Sequence, residues 1–192
     1  MDGDRARVLA ELDADIRSCT RCGLAAGRRR AVPGEGSPTS AVIFVGEAPG
    51  GAEDRLGRPF VGPAGQLLNE LLTTIGLRRA EVYITNVVKC RPPGNRDPLL
   101  AEIEACQDYL LAQVATIMPR VICPLGRFAL ATMLSDTLSI SRVHGTSYRR
   151  EGMLYMPLYH PAAALHNEQI REPLFEDFAK LGRLLSERAV AG

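Results

Sequence analysis

Short apolar segments alternate with helix-like segments along almost the whole chain, and this alternation constrains the fold more than any other feature. Residues 41–45 (AVIFV) are branched or aromatic apart from one alanine, which is typical of a strand buried on both faces. Three further segments have the same character and cover residues 82–88, 120–126 and 154–160. Apolar side chains at helical spacing predict helices over residues 4–17, 64–75, 99–117, 127–134 and 172–187.

Strands and helices in strict alternation predict an α/β fold. We expect a three-layer α/β/α arrangement around a mainly parallel four-stranded central sheet. The 192 residues are 46 % hydrophobic and 23 % charged, which fits one globular domain over residues 1–192 and excludes a mostly disordered or collagen-like chain. Ligands of such sheets bind beyond the carboxyl ends of the strands, where the segments GEAPG, TNVVKCRPPGNR and YHPAA lie.

The amino terminus, MDGDRARVLAELDAD, carries acidic residues where a signal peptide needs basic ones and a continuous apolar run. No stretch approaches the roughly 18 consecutive apolar residues of a membrane-spanning helix. We therefore expect a cytoplasmic protein without a membrane partner.

The charges balance, with 23 basic and 22 acidic residues and a net charge of +1, so total charge gives no argument for a polyanionic partner. Basic side chains nevertheless gather in three places: residues 28–30, the pair Arg91 and Arg96, and the group Arg142, His144, Arg149 and Arg150. A charge run is usually just a solvated face, so these groups need support from other features.

Five cysteines in a chain without an export signal do not indicate a disulfide framework. Cys19 and Cys22 form C-x-x-C, and Cys90 and Cys106 are separated by a loop and about two helical turns. Four thiolates suit structural zinc or an iron-sulfur cluster, and spacing does not decide between them. Cys123 lies inside an apolar strand, where a buried free thiol is expected.

Four motifs occur in a fixed order downstream of the C-x-x-C pair: GEAPGGAED, GRPFVGPAGQLL, ITNVVKCRPPGNRDP and YHPAA. In this combination the chain resembles the iron-sulfur (family 4) uracil-DNA glycosylases from about Cys19 to the last helix. The resemblance implies a glycosylase-like fold and a 4Fe-4S cluster on Cys19, Cys22, Cys90 and Cys106. It also implies base excision repair activity: hydrolysis of the bond between uracil and deoxyribose, leaving an abasic site.

A glycosylase takes its base out of the helix, so it needs a stacking ring and groups that read the pyrimidine edge. Phe60, in a loop between Pro59 and Val61, is the candidate ring. Asn86 can accept from N3–H and donate to O4 of uracil, a pattern that cytosine does not match. His160 stands where the family has a histidine that reaches uracil O2, at which negative charge develops as uracil leaves.

The motif after the first strand carries the remaining catalytic predictions. Ala48 occupies the position at which better-known uracil glycosylases have a catalytic aspartate, so the general base is unassigned. A strongly dissociative reaction needs electrostatic stabilisation more than a base. We expect Glu47 or Asn95 to order the attacking water. Glu53 resembles the family side chain that crowds C5 and excludes the thymine methyl group.

Predicted DNA contacts lie around these motifs. The turn from Gly62 to Gly65 opens a helix whose free amides suit a phosphate group. The segment PAAALHN matches the family loop that enters the minor groove, with Leu165 as the candidate wedge and Ala164 as the second choice. Charged candidates for phosphate contacts are Arg91, Arg96 and Arg142, which predict salt-sensitive binding.

The resulting prediction is a monomeric, monofunctional uracil-DNA glycosylase that acts on single- or double-stranded DNA. Lys89 lies beside a cluster cysteine, which argues against lyase chemistry through a Schiff base. The sequence leaves open whether a sliding clamp or other repair proteins bind it. Two alternatives are a related uracil-DNA trap, which needs a basic insert that RPPGNRDP lacks, and an iron-sulfur electron carrier, which would leave Phe60, Asn86 and His160 unexplained.

Overall fold

The computed structural model describes residues 2–165 and 167–187. Within these residues one sheet contains six strands: β1 (Glu35–Gly36), β2 (Val42–Gly46), β3 (Tyr83–Asn86), β4 (Val121–Pro124), β5 (Tyr148–Arg150) and β6 (Met153–Tyr155). Their order across the sheet is β1-β3-β2-β4-β6-β5. The four central strands are parallel, because β2 pairs in parallel with β3 and β4, and β4 pairs in parallel with β6.

The four central strands lie in the four segments that the sequence predicts, but the predicted number of strands is wrong. Strands β1 and β5 add an antiparallel edge on each side of the sheet. They contain two and three residues that are exposed or half-buried, so no apolar run marks them in the sequence.

The described residues form nine α-helices: α1 (Asp2–Ser18), α2 (Leu24–Gly27), α3 (Gly51–Leu56), α4 (Pro63–Thr74), α5 (Leu100–Ile117), α6 (Gly126–Met133), α7 (Ile140–Val143), α8 (Pro161–Ala164) and α9 (Glu168–Glu187). The five predicted helices correspond to α1, α4, α5, α6 and α9. Helix α9 begins earlier than predicted, because the Asn167 side chain accepts from the Gln169 N–H at 3.0 Å and caps it. None of these helices is both long and apolar enough to cross a membrane.

Alternate side chains of the central strands supply two separate cores. Ile43 and Val45 face a cluster formed with α1, α5 and α6, whereas Val42 and Phe44 face a cluster formed with α4 and α9. Within the second cluster Phe44 and Phe178 stack with ring centroids 5.6 Å apart. Helices therefore cover both faces of the sheet, which confirms the predicted three-layer arrangement.

Two local features shape the carboxyl edge of the sheet. The loop predicted after β2 contains α3, which is capped at its carboxyl end by Gly57 in a left-handed conformation with φ of 69°. Beyond β6, the ladder with β4 continues around Pro157, since the Leu158 N–H donates to the Pro124 carbonyl at 2.9 Å. This continuation carries the chain to His160 at the same edge.

Candidate active site

A cavity of about 250 Å³ opens at the carboxyl ends of the parallel strands. The residues that line it come from the segments after β2 and β6, from the end of β3 and from the 92–96 loop: Glu47, Ala48, Pro49, Gly50, Glu53, Phe60, Ala64, Asn86, Pro92, Asn95, Arg96, His160 and Ala162. The cavity thus brings together every side chain that the sequence predicts to contact uracil or water.

Phe60 is buried in a turn that requires an unusual backbone conformation. Its φ of 49° is positive, which a bulky residue rarely adopts without support from its surroundings. The Glu53 carboxylate accepts from the N–H groups of Val61 and Gly62, both at 2.9 Å. Arg79 donates to the Phe60 carbonyl at 3.0 Å from the other side. Two charged side chains therefore hold the turn that carries the aromatic ring.

Two glycines allow the ring to approach the strand ends. A Cβ atom at Gly46, the last residue of β2, would collide with the Asn86 side chain and the Phe60 ring. A Cβ atom at Gly65 would collide with the Phe60 carbonyl. The GPAG turn therefore has a packing role. The Gly62 N–H is already bonded to Glu53, so it is not a free donor for phosphate.

Asn86 ends β3 with its side chain at the cavity wall. Only 2 % of the residue is exposed, and its buried Oδ1 has no hydrogen-bond partner among the described residues. An unpaired buried acceptor is costly and is rare in folded proteins. A ligand with an N–H donor, such as N3–H of uracil, would satisfy it.

His160 precedes α8 and has a defined ring orientation. Its Nδ1 accepts from the Ala162 N–H at 3.1 Å, which places the ring proton of the neutral form on Nε2. Desolvation by the surrounding protein lowers the pKa of His160 to about 4, although the negative charge of Glu53 opposes the shift. Near neutral pH the residue is therefore an uncharged Nε2–H donor. Its ring centroid lies 5.5 Å from that of Phe60.

Glu47 and Asn95 occupy the polar side of the cavity. Burial raises the pKa of Glu47, the nearby Asp97 raises it further, and Arg127 opposes the shift. Asn95 has a positive φ of 55°, and its Oδ1 accepts from Arg91 Nε at 2.7 Å. With Oδ1 occupied in this way, the amide nitrogen of Asn95 remains available as a donor.

The predicted DNA contacts are dispersed. Arg96 lines the cavity but pairs with Glu102 at 2.6 Å. Arg91 lies outside the cavity and holds Asn95, and Arg142 is exposed on α7. Leu165 follows α8 and is partly buried against the second core cluster. His166, the next residue of the predicted wedge loop, lies outside the described residues.

The four candidate ligand cysteines meet away from this cavity. Cys19, Cys22, Cys90 and Cys106 line one small pocket between α1, α5 and the segment after β3. Arg28 donates to Cys90 Sγ at 3.0 Å, and the Lys89 N–H lies 3.3 Å from Cys106 Sγ. Cys123 is fully buried in β4, as expected for a free thiol.

Lys89 is buried, with 1 % exposed, and it does not line the uracil cavity. It donates to Thr85 Oγ1 at 2.6 Å, to the Asn86 carbonyl at 2.8 Å and to Gln113 Oε1 at 2.8 Å. Desolvation lowers the pKa of this lysine to about 8. The three acceptors tie the ammonium group to the end of β3.

Sequence reasoning missed three supporting roles at the site, one of them at Arg91, which it named only as a phosphate contact. Arg79 holds the Phe60 turn, Arg91 orients Asn95, and the Ala162 N–H fixes the His160 ring. An arginine before a strand carries no signal of such a role. The signal for Ala162 was present, because Pro161 starts a helix and leaves the next N–H free to bond the preceding side chain.

Comparisons with known proteins agree with this geometry. Residues 33–181 match the family model described as the Uracil DNA glycosylase superfamily. The chain is 46 % identical over 188 residues to the type-4 uracil-DNA glycosylase of Archaeoglobus fulgidus, which covers 94 % of each protein. It is 48 % identical over 185 residues to that of Sulfurisphaera tokodaii (92 % of this chain, 84 % of the relative). It is 43 % identical over 180 residues to the type-4 uracil-DNA glycosylase of Thermotoga maritima, which covers 92 % of this chain and 94 % of the relative. The chain therefore belongs to the type-4 uracil-DNA glycosylases.

Proposed function

We propose that this protein removes uracil from DNA in base excision repair by hydrolysing the N-glycosidic bond of an extruded deoxyuridine. The observation that carries the proposal is the convergence of Phe60, Asn86 and His160 on one cavity, with the buried Asn86 Oδ1 lacking a donor among the described residues. Base extrusion is needed because the reacting bond cannot be reached inside a stacked duplex.

Base selectivity follows from the Asn86 amide. Its Oδ1 accepts from N3–H of uracil while its Nδ2 donates to O4. Cytosine presents an acceptor and an amino group at the same positions, so both contacts become unfavourable. Phe60 supplies the flat apolar surface against which the pyrimidine stacks. Glu53 closes the pocket where thymine carries its methyl group.

Bond cleavage leaves negative charge on uracil, and His160 is placed to stabilise it. The Nε2–H group donates to O2, where the charge grows in the transition state. A neutral imidazole suits this role, since its donor is fixed before the reaction by the bond from Ala162 to Nδ1. The low pKa keeps the ring in this state over the neutral range.

Water attack completes the hydrolysis. The Glu47 carboxylate and the Asn95 amide nitrogen lie on the polar side of the cavity and hold the water. Ala48 offers no acidic group, so Glu47 orients the nucleophile after the bond to uracil has largely broken. The buried Lys89 makes no Schiff base with the sugar, and the product is an intact abasic site.

A 4Fe-4S cluster on Cys19, Cys22, Cys90 and Cys106 fits the donor set. Among the described residues, no three His, Cys, Asp or Glu side chains meet the geometry of a single-ion site. The four thiolates would not need to converge on one point to hold a cluster, because a multi-iron group would offer a separate ligand position to each. Hydrogen-bond donors already face two of the sulfurs, as thiolate ligands require. A bound cluster would supply a covalent link among the segment after α1, the segment after β3 and α5.

The cluster is tested by iron and acid-labile sulfide analysis of the purified protein. We expect about four of each per chain. The variant C106S should lose both and melt at a lower temperature, whereas C123A should retain both. Equal iron content in C106S and the parent protein would remove Cys106 from the ligand set.

The activity is tested with an oligonucleotide that contains one uracil, followed by alkali treatment. Strand cleavage at that position supports the glycosylase, and matched oligonucleotides with cytosine or thymine should stay intact. A complex that survives denaturation would indicate a covalent trap instead. Intact uracil-containing DNA would favour an electron carrier.

A further inference from the structure

A second pocket, of about 470 Å³, lies at the carboxyl end of α3. Five of its lining residues are arginines, and we call it the basic pocket: Arg17, Arg28, Arg29, Arg30 and Arg58, with Ala31, Leu56 and Gly57. Building on the proposed function, we propose that the basic pocket binds backbone phosphates of the DNA strand that flanks the extruded nucleotide.

The basic pocket lies at the same edge of the sheet as the uracil cavity. Strand β1 is antiparallel to β3, with Glu35 opposite Ile84. Going backwards along the chain, the Val32 N–H donates to the Lys89 carbonyl at 2.7 Å, three residues beyond the end of β3. Residues 28–30 therefore lie beyond the carboxyl end of β3.

Helix α3 connects the two pockets. Its first turn, with Glu53, faces the uracil cavity, and its last residue, Leu56, lines the basic pocket. Six helical residues span about 9 Å. This distance is short enough for one DNA strand to occupy both pockets, with phosphates one or two nucleotides from the extruded base.

Contacts with neighbouring residues hold the pocket in place: Arg28 donates to Cys90 Sγ and to the Arg17 carbonyl, both at 3.0 Å. The Arg29 N–H donates to the buried Asp54 at 2.9 Å, and Gly57 packs beside the Arg30 side chain. Arg17 and Arg58 have carboxylate partners. In the part of the chain that the structure describes, no carboxylate pairs with the guanidinium groups of residues 28–30.

Arginines 29 and 30 are exposed, so they are free to contact a ligand. Arginine recognises phosphate oxygens through paired N–H groups. A preorganised arginine pocket beside the base-binding cavity therefore matches the phosphodiester backbone of the substrate. A contact of this kind contributes affinity and register but no sequence information.

The test compares the double variant R29A/R30A with R78A/R183A. The control removes two positive charges from the opposite edge of the sheet, at the amino ends of the parallel strands. Arg78 precedes β3. Arg183 lies near Leu185, whose carbonyl accepts a hydrogen bond from Arg120, the residue before β4. The probe is a single-stranded oligonucleotide with one 2′-fluorinated deoxyuridine, which resists cleavage. Its affinity is measured between about 50 and 200 mM salt.

Each phosphate contact on a single strand contributes about 0.7 to the slope of log affinity against log salt. Loss of two contacts makes the slope shallower by about 1.4. When the salt concentration rises fourfold over this range, the fold-decrease in the affinity of R29A/R30A should therefore be about seven times smaller than that of the parent protein. We expect R78A/R183A to keep the parent slope and R29K/R30K to restore it. On cleavable DNA, R29A/R30A should raise KM and leave kcat within about twofold.

An unchanged slope in R29A/R30A, or the same change in R78A/R183A, would overturn the proposal. Failure of R29K/R30K to restore the slope would do so as well, since it would point to a folding effect and not to charge. Failure of the parent protein to release uracil would instead overturn the proposed function, which the cleavage assay reports separately.

Discussion

Arg79 Nη1 donates to the main-chain carbonyl oxygen of Phe60 at 3.0 Å, although the two residues are 19 positions apart. The same guanidinium group contacts the Pro59 carbonyl and pairs with Glu35 on β1. Only 18 % of the Arg79 side chain is exposed, so solvent screens these contacts weakly. The edge of the sheet thereby fixes the turn that presents the aromatic ring.

Removal of this contact should impair catalysis more than folding. We expect R79A to lower kcat/KM for uracil excision by about 10- to 100-fold, because small displacements of a positioned group have effects of this size. The loss should be larger for release of uracil than for binding of DNA without uracil. Kinetics on single-uracil DNA and binding to undamaged DNA measure the two effects.

The neighbouring arginine provides the control. Arg78 is 81 % exposed and pairs only with Glu81 among the described residues. R78A should keep activity within about twofold, as expected for an exposed ion pair. Equal losses in R78A and R79A would mean that charge at this edge, and not support of Phe60, determines the effect.

The catalytic contribution of His160 should depend on a hydrogen-bond donor at the position of its Nε2 atom. H160A should lower kcat by about 10²- to 10³-fold, the usual effect of losing one donor to a developing negative charge. H160Q should recover part of the loss, because the glutamine amide reaches the position of Nε2, whereas the shorter H160N should not. Single-turnover rates at saturating enzyme separate this effect from DNA binding. Full turnover in H160A would disprove the mechanism.

The sequence predicts the parallel sheet and the residues that face the cavity, because both depend on local patterns. Apolar runs mark the central strands, and the motifs that carry the family resemblance identify Asn86 and His160 after strands and Phe60 in the loop between α3 and α4. Support for these residues comes from contacts between distant segments, such as Arg79 with Phe60, which leave no periodic pattern. For the same reason the sequence suggests free amides at Gly62, where Glu53 is the actual partner.

Glu53 should have two separable roles. E53A should reduce discrimination against thymine by about 10- to 200-fold, the range for one methyl group in a pocket. It should also slow uracil release, because Val61 and Gly62 lose their acceptor. E53Q retains an oxygen of the same reach and should preserve both properties. Release of each base from matched oligonucleotides measures them, and thymine exclusion by E53A would refute the steric role.

Protonation of Glu47 should cause the loss of activity on the acidic side of the pH profile, the acid limb. A carboxylate that must be ionised to hold water loses activity as the pH falls through its pKa. Burial and Asp97 raise the pKa of Glu47, so the limb should lie above the usual range for a glutamate. His160, with a pKa of about 4, changes charge only at lower pH. Single-turnover rates across the acidic range define the limb.

Substitution of Asp97 should move this limb in a known direction. Asp97 pairs with Arg127 at 2.7 Å, and its negative charge disfavours ionisation of Glu47. D97N removes that charge and leaves Arg127 free to stabilise the Glu47 carboxylate, so both effects lower the pKa of Glu47. The limb should therefore shift to lower pH in D97N, remain in place in D108N, whose partner is the exposed Arg21, and be absent in E47Q. If E47Q kept the limb, another group would hold the water, and the assignment of Glu47 would be wrong.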